Sequence, residues 1–173
     1  MSQKISNILI LEDLTEIRAW LKQLVSEIFP GATFAEAGRV KDAIELTHSL
    51  SFDLALIDLG LPDGSGVDVI DSLRETKAET QAVVVTIHDD DEHLFPALQA
   101  GAFGYILKEQ PREMIVEQLK RMNQGEPPLS PSIARRVLAH FGGKRTPRAP
   151  VMDLPHVALT ERENEVLLRV AKG

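Results

Sequence analysis

Hydrophobic residues along the chain fall into two alternating patterns. Residues 5–11, 32–36, 54–57, 82–87 and 104–107 are short runs of aliphatic and β-branched residues, the signature of strands. Three of them, ILIL, LALI and AVVVTI, are almost continuously apolar, which predicts parallel strands covered by helices on both faces; the second run is weaker and belongs nearer an edge. Between the runs, apolar residues recur at helical spacing: Ile17, Leu21, Leu24, Val25 and Ile28 within 14–29, and Ala43, Ile44, Leu46 and Leu50 within 39–50. The same spacing brings Val67, Ile70 and Leu73 together within 66–76, and Leu94, Ala97 and Leu98 within 90–100, before Gly101 as a C-cap. A fifth helix over 111–124 begins with Pro111 and turns Ile115, Leu119 and Met122 inward. The order is (βα)5, an α/β fold with a doubly wound five-stranded parallel sheet whose central strands are the first, third and fourth.

Beyond residue 124 the pattern changes. Gly125-Glu-Pro-Pro breaks the chain, Ser130-Pro131 restarts it as N-cap and first-turn proline, and Ile133, Val137, Leu138 and Phe141 form the stripe of a sixth helix over about 130–141, ended by Gly142-Gly143. A Pro/Gly/basic linker follows. Thr160-Glu-Arg-Glu163 is then a capping box ahead of Val166, Leu167 and Val170. The expected organisation is a first domain over 1–124, a linker with one helix over 125–158, and the opening of a further domain over 159–173.

Composition narrows the class. The 173 residues are 43% hydrophobic and 26% charged, with no apolar run of membrane-spanning length, no secretory leader and no cysteine; a cytoplasmic protein without disulfides or thiolate metal sites is expected. The net charge of −7 conceals an asymmetry: residues 1–125 carry 11 Lys/Arg against 21 Asp/Glu, and 126–173 carry 8 against 5. The basic stretch after Glu126 fits either a solvated linker or a segment lying near an acidic surface or nucleic acid. The five histidines lack metal-ligand spacing and none is assigned to zinc, while His88 and Asp89-Asp90-Asp91 read as the start of the fourth helix.

In an open parallel α/β sheet the reactive crevice lies at the carboxyl ends of the strands. There the sequence places Glu12 and Asp13, Asp58, Thr86 and Lys108. Three carboxylates at one rim repel unless a hard cation sits among them, and Mg²⁺ takes carboxylates, waters and a phosphoryl oxygen; an ammonium and a hydroxyl opposite would hold the other phosphoryl oxygens. The rim suits a phosphoryl group on or beside a carboxylate. Gly64 and Gly66 do not form a Walker-type loop and instead shape the turn below Asp58.

Taken in order, Glu12-Asp13 after ILIL, Asp58 in IDLGLPDGSG, Thr86 in VVVTIHDD, and Tyr105 and Lys108 in GAFGYILK resemble the receiver domain of two-component response regulators. The resemblance implies a flavodoxin-like strand order 2-1-3-4-5 and Asp58 as phosphoacceptor for a sensor histidine kinase. Glu12, Asp13, Asp58 and the main-chain carbonyl of Gly60 would surround Mg²⁺, Thr86 and Lys108 would bind the phosphoryl oxygens, and Thr86 with Tyr105 would form the switch. The sequence departs from the commonest pattern at Glu12, in place of Asp, at Glu109, in place of Pro, and at Ile87, where a small residue is frequent and a branched one narrows access to Asp58.

LTERENEVLLRVAKG at 159–173 resembles the first helix of the LuxR-type helix-turn-helix domain of the NarL/FixJ subfamily. The chain is therefore expected to be an incomplete regulator. It implies transcription control through DNA in the intact protein, no specific DNA binding by residues 1–173 alone, and homodimers through receiver helices 4 and 5 or 1 and 5. Two alternatives stand beside this reading: a Mg²⁺-dependent phosphohydrolase using Asp58 on external substrates, against which Gly60 replaces the second general acid, and a receiver-like interaction module that is never phosphorylated.

Overall fold

The computed structural model describes residues 4–76 and 79–145. Five parallel strands, β1 (Asn7–Leu11), β2 (Thr33–Ala37), β3 (Leu54–Ile57), β6 (Gln81–Thr86) and β7 (Gly104–Leu107), form one sheet in the order β2-β1-β3-β6-β7. This is the order expected of the five main strands, with the weakly apolar second run at an edge. Two further strands of two residues each, β4 (Gly60–Leu61) and β5 (Gly64–Ser65), make an antiparallel hairpin just beyond β3. The described helices are α1 (Thr15–Ile28), α2 (Val40–Ser49), α3 (Gly66–Thr76), α4 (Asp91–Ala100), α5 (Arg112–Arg121) and α6 (Pro131–Arg145).

The pleat divides the strand residues between two cores. Ile8, Ile10, Leu54, Leu56, Val83, Val85 and Ile106 pack with Leu21, Leu24 and Val25 of α1 and Ile115 and Leu119 of α5. Their neighbours Leu9, Leu11, Ala55, Ile57 and Val84 point to the other face, where α2, α3 and α4 lie side by side. Since β3 is buried along its whole length, removing one of its side chains leaves a cavity: Leu56→Ala would cost about 2–5 kcal/mol.

Several helix ends follow the sequence. Gly101 has φ 112° and caps α4 with hydrogen bonds back to Leu98 and, from Ala102, to Ala97. Pro96 inside α4 removes a donor from this ten-residue helix, leaving it held mainly by Leu94 and Ala97. Expectation and structure part at α6, which does not stop before Gly142-Gly143 but runs to Arg145. Glycine weakens a helix by about 1 kcal/mol without forbidding it, and Gly142 does not take the left-handed conformation that ends one.

The sequence predicts a break after α5 at Gly125-Glu-Pro-Pro. Instead residues 126–130 run beside the edge strand β7: the Tyr105 N–H donates to Pro128 O at 2.9 Å, and the Ser130 N–H donates to Tyr105 O at 3.1 Å. Tyr105 and Leu129 form a parallel bridge, so the linker covers an otherwise open edge. The approach is close enough that a Cβ on Gly104 would stand 2.5 Å from Pro128. The chain divides after Ser130 into two units. The linker and capping-box helix expected over 146–173 lie outside the described residues.

Candidate functional site

Each residue of the site is delivered by the end of a buried strand. Glu12 follows β1, and its N–H donates to Ala37 O at the end of β2, 3.0 Å away. Asp58 follows β3, with its N–H on Leu11 O at 3.0 Å, and Lys108 follows β7, with its N–H on Thr86 O at 2.8 Å. The sheet ladder thus continues one residue past each strand and fixes the backbone that carries the chemistry. Below it, Gly66 at the start of α3 packs against the Asp58 main chain, where a Cβ would collide with Asp58 O and Ile57 Cγ2. The β4–β5 hairpin pairs Gly60 with Ser65 and leaves Gly60 exposed beside the rim.

Lys108 Nζ bridges two carboxylates, donating to Glu12 Oε2 at 2.7 Å and Asp58 Oδ2 at 3.1 Å. The other Asp58 oxygen accepts from the Leu59 N–H at 2.8 Å. Glu12 is fully buried, and its Oε1 has no hydrogen-bond partner among the described residues. Burial pushes the Glu12 carboxyl up to about 7, and Asp58 beside it pushes the same way against the opposing ammonium of Lys108. One ammonium therefore faces three acids when all are ionised.

Glu12, Asp13 and Asp58 each place a carboxylate oxygen within 4.8 Å of the others. An orphaned buried oxygen and an excess of negative charge together fit a hard divalent cation with oxygen ligands. The longer arm of Glu12 is accommodated by full burial at the end of β1.

Thr86 is buried, and its Oγ1 accepts from the His88 N–H at 3.3 Å. Tyr105 is also wholly buried, its hydroxyl donating to the His88 carbonyl at 2.7 Å. Burial and the acids of the neighbouring loop raise the Tyr105 phenol well above its ordinary value, so it remains a donor at physiological pH. Tyr105 is thus no surface aromatic: the 86–88 loop is tied at both ends to the residues expected to switch. Ile87, between them, is largely solvent-exposed.

Sequence reasoning missed two features. Ser130, read as a helix cap, turns its hydroxyl to β7, where it accepts from the Leu107 N–H at 2.9 Å and bonds Gln110. His88, Asp90 and His93, separated by uneven spacing, are brought together at the start of α4. Among the described residues, no helix is long and apolar enough to cross a membrane.

A five-stranded parallel sheet with three acids, a hydroxyl and a lysine at its carboxyl end defines a CheY-like receiver fold. A family model described as the response regulator receiver domain matches residues 8–120. The nitrate/nitrite response regulator protein NarL of Escherichia coli K12 is 31% identical over 172 residues, covering 99% of this chain and 78% of that protein. Among solved structures, the receiver domain of the putative response regulator NarL from Mycobacterium tuberculosis is 25% identical with a TM-score of 0.60, over 72% of this chain and all of that one. A LuxR-family two-component response regulator from Aurantimonas sp. SI85-9A1 shares the fold at a TM-score of 0.68 and 24% identity, covering 76% of this chain and 94% of that one. The chain belongs to the response regulators of two-component systems, in their NarL/LuxR-type branch.

Proposed function

We propose that Asp58 accepts a phosphoryl group from a phosphohistidine of a sensor histidine kinase, and that the modified receiver controls DNA binding and transcription in the intact protein. The observation carrying this reading is the Lys108 ammonium, held between Asp58 and the buried Glu12 at the carboxyl end of the central strands. Asp58 Oδ2 attacks phosphorus in line: the O–P bond forms, the P–N bond of the donor breaks, and its electron pair leaves with the imidazole. Glu12, Asp13, Asp58 and the Gly60 carbonyl would hold Mg²⁺, which when bound neutralises charge on the transferring group.

The remaining steps belong to the chain itself. Lys108 moves from the Asp58 carboxylate to a phosphoryl oxygen, and Thr86 exchanges its bond from the His88 N–H for another phosphoryl oxygen. Freeing the His88 N–H loosens the loop whose carbonyl holds Tyr105, and α4, weakened by Pro96, follows. The route outward runs through β7. Tyr105 is bonded on its N–H and C=O to Pro128 and Ser130, so a shift of this residue acts directly on the chain that leads out of the receiver.

The test is Mg²⁺-dependent labelling by a small acyl-phosphate donor, followed by intact mass. One phosphoryl group is expected on the wild type and none on Asp58→Asn. Equal labelling of both, with peptide mapping away from Glu12 and Asp13, would overturn the assignment.

A further inference from the structure

Outside the carboxylate rim, the described residues hold one more cluster of metal-binding type. It lies in the segment His88-Asp-Asp-Asp-Glu-His93, between β6 and α4. Asp90 is the N-cap residue of α4, yet its carboxylate makes no capping bond to the helix backbone. Both its oxygens instead face His93 Nδ1, at 2.9 and 2.8 Å. The His93 ring lies against that of His88, with centroids 3.9 Å apart and planes 5° from parallel. One donor atom from each of His88, Asp90 and His93 lies within 4.8 Å of the others, and all three side chains are partly open to solvent.

We infer that His88, Asp90 and His93 form a second cation site, for a divalent transition metal of the Zn²⁺ class, distinct from the oxygen-lined Mg²⁺ rim. Two imidazoles and one carboxylate suit a borderline-soft ion and leave a fourth tetrahedral position for water. An ion with ligands at about 2.1 Å needs donors about 3.4 Å apart, closer than the present limit, so the set must contract. The contraction requires one imidazole to turn out of the stack; the His93 side chain, 40% exposed, has solvent to turn into, whereas His88 Nε2 lies close to Gly60. Binding replaces the proton shared by His93 Nδ1 and Asp90, which leaves to solvent; the other ring nitrogen of His93 keeps or takes the N–H. The neighbouring acids Asp89 and Glu92 add a negative field that attracts the cation.

The position gives the site a consequence. The His88 N–H is held by Thr86 Oγ1 and its carbonyl holds the Tyr105 hydroxyl, so an ion joining His88 to Asp90 and His93 ties the 86–88 loop to the first turn of α4. On the proposed function, that loop must rearrange after phosphorylation; a bound ion would hold it in the present arrangement. Metal binding itself does not depend on that reading and can be measured without any phosphodonor.

The test is titration of the full chain with Co²⁺, as a spectroscopic substitute for Zn²⁺, in a large excess of Mg²⁺ to occupy the carboxylate rim. The wild type is expected to take up one equivalent with a tetrahedral visible absorption band. His88→Ala/His93→Ala should lose the band, and Asp90→Asn should bind about tenfold or more weakly. His48→Ala, on α2, serves as the control that should match the wild type. An undiminished band in the double variant would put the ion elsewhere and overturn the proposal. Absence of uptake by the wild type at millimolar Co²⁺ would also overturn it, leaving the His93–Asp90 pair as a contact that orders only the helix start. Circular dichroism of each variant separates loss of a ligand from loss of the fold.

Discussion

Glu12 offers the sharpest test of the site's electrostatics. Its carboxyl is fully buried, bonded through one oxygen to Lys108, and pushed up to about 7 from an ordinary 4.5 by burial and by Asp58. The unfolded chain ionises this group near its ordinary value, while the folded chain retains the proton until near 7. Between those limits the folded state binds more protons, so folding stability is full below pH 4.5 and falls as the pH rises through 7. The total loss is about 3 kcal/mol, at 1.36 kcal/mol for each tenfold change in proton affinity. Glu12→Gln removes the titration and keeps the shape. Urea unfolding in EDTA, from pH 5 to pH 8, should show the wild type losing about 2–3 kcal/mol relative to Glu12→Gln across that range. Saturating Mg²⁺ should restore most of the wild-type loss and stabilise the variant less, because a cation favours the ionised carboxylate. Parallel pH profiles for the two proteins in EDTA, or an equal Mg²⁺ effect on both, would refute the reasoning.

Other substitutions test the frame around the site. Gly66→Ala forces a methyl group against the Asp58 carbonyl and Ile57; it should destabilise the protein by about 2 kcal/mol or more and slow phosphodonor labelling, measured by urea unfolding and intact mass. Gly104→Ala pushes against Pro128 and should speed amide exchange at Tyr105 and Ser130 more than at Leu56, whereas uniform acceleration would mean that the linker is not separately displaced. Ile87→Ala should quicken both phosphorylation by a small donor and loss of the phosphoryl group, since the branched side chain stands beside Thr86; unchanged rates would dismiss Ile87 as an access barrier.

The legible part of the fold was the part written as periodicity. Continuous apolar runs such as LALI fixed central parallel strands, because only a strand covered on both faces buries every residue. The i, i+3, i+4 stripes located α1 to α5 on the same physical ground, and the family resemblance ordered the strands. Glu12, Asp13, Asp58, Thr86 and Lys108 were legible because each ends a strand or follows one within two residues, and parallel topology sends all those ends to one rim.

Tertiary structure decided what distance along the chain does not encode. Lys108 is 96 residues from Glu12, and only the sheet order sets the 2.7 Å contact that shares its ammonium between two carboxylates. The burial that raises the Glu12 carboxyl is a property of the packed rim, not of the Leu-Glu-Asp segment. Pairing of the 126–130 linker with β7 rests on two main-chain hydrogen bonds and on the Ser130 hydroxyl, which accepts from the Leu107 N–H, and its side-chain signature is only that serine and the missing Cβ of Gly104. His88 and His93 meet because the chain bends into α4 between them, so a spacing that excludes a metal motif on a regular helix still brings their rings together. The sequence by itself determined the main elements and the kinds of chemical group at their ends; folding alone determined which groups lie close enough to share a charge or a proton, since those interactions depend on separation and dielectric rather than on residue order.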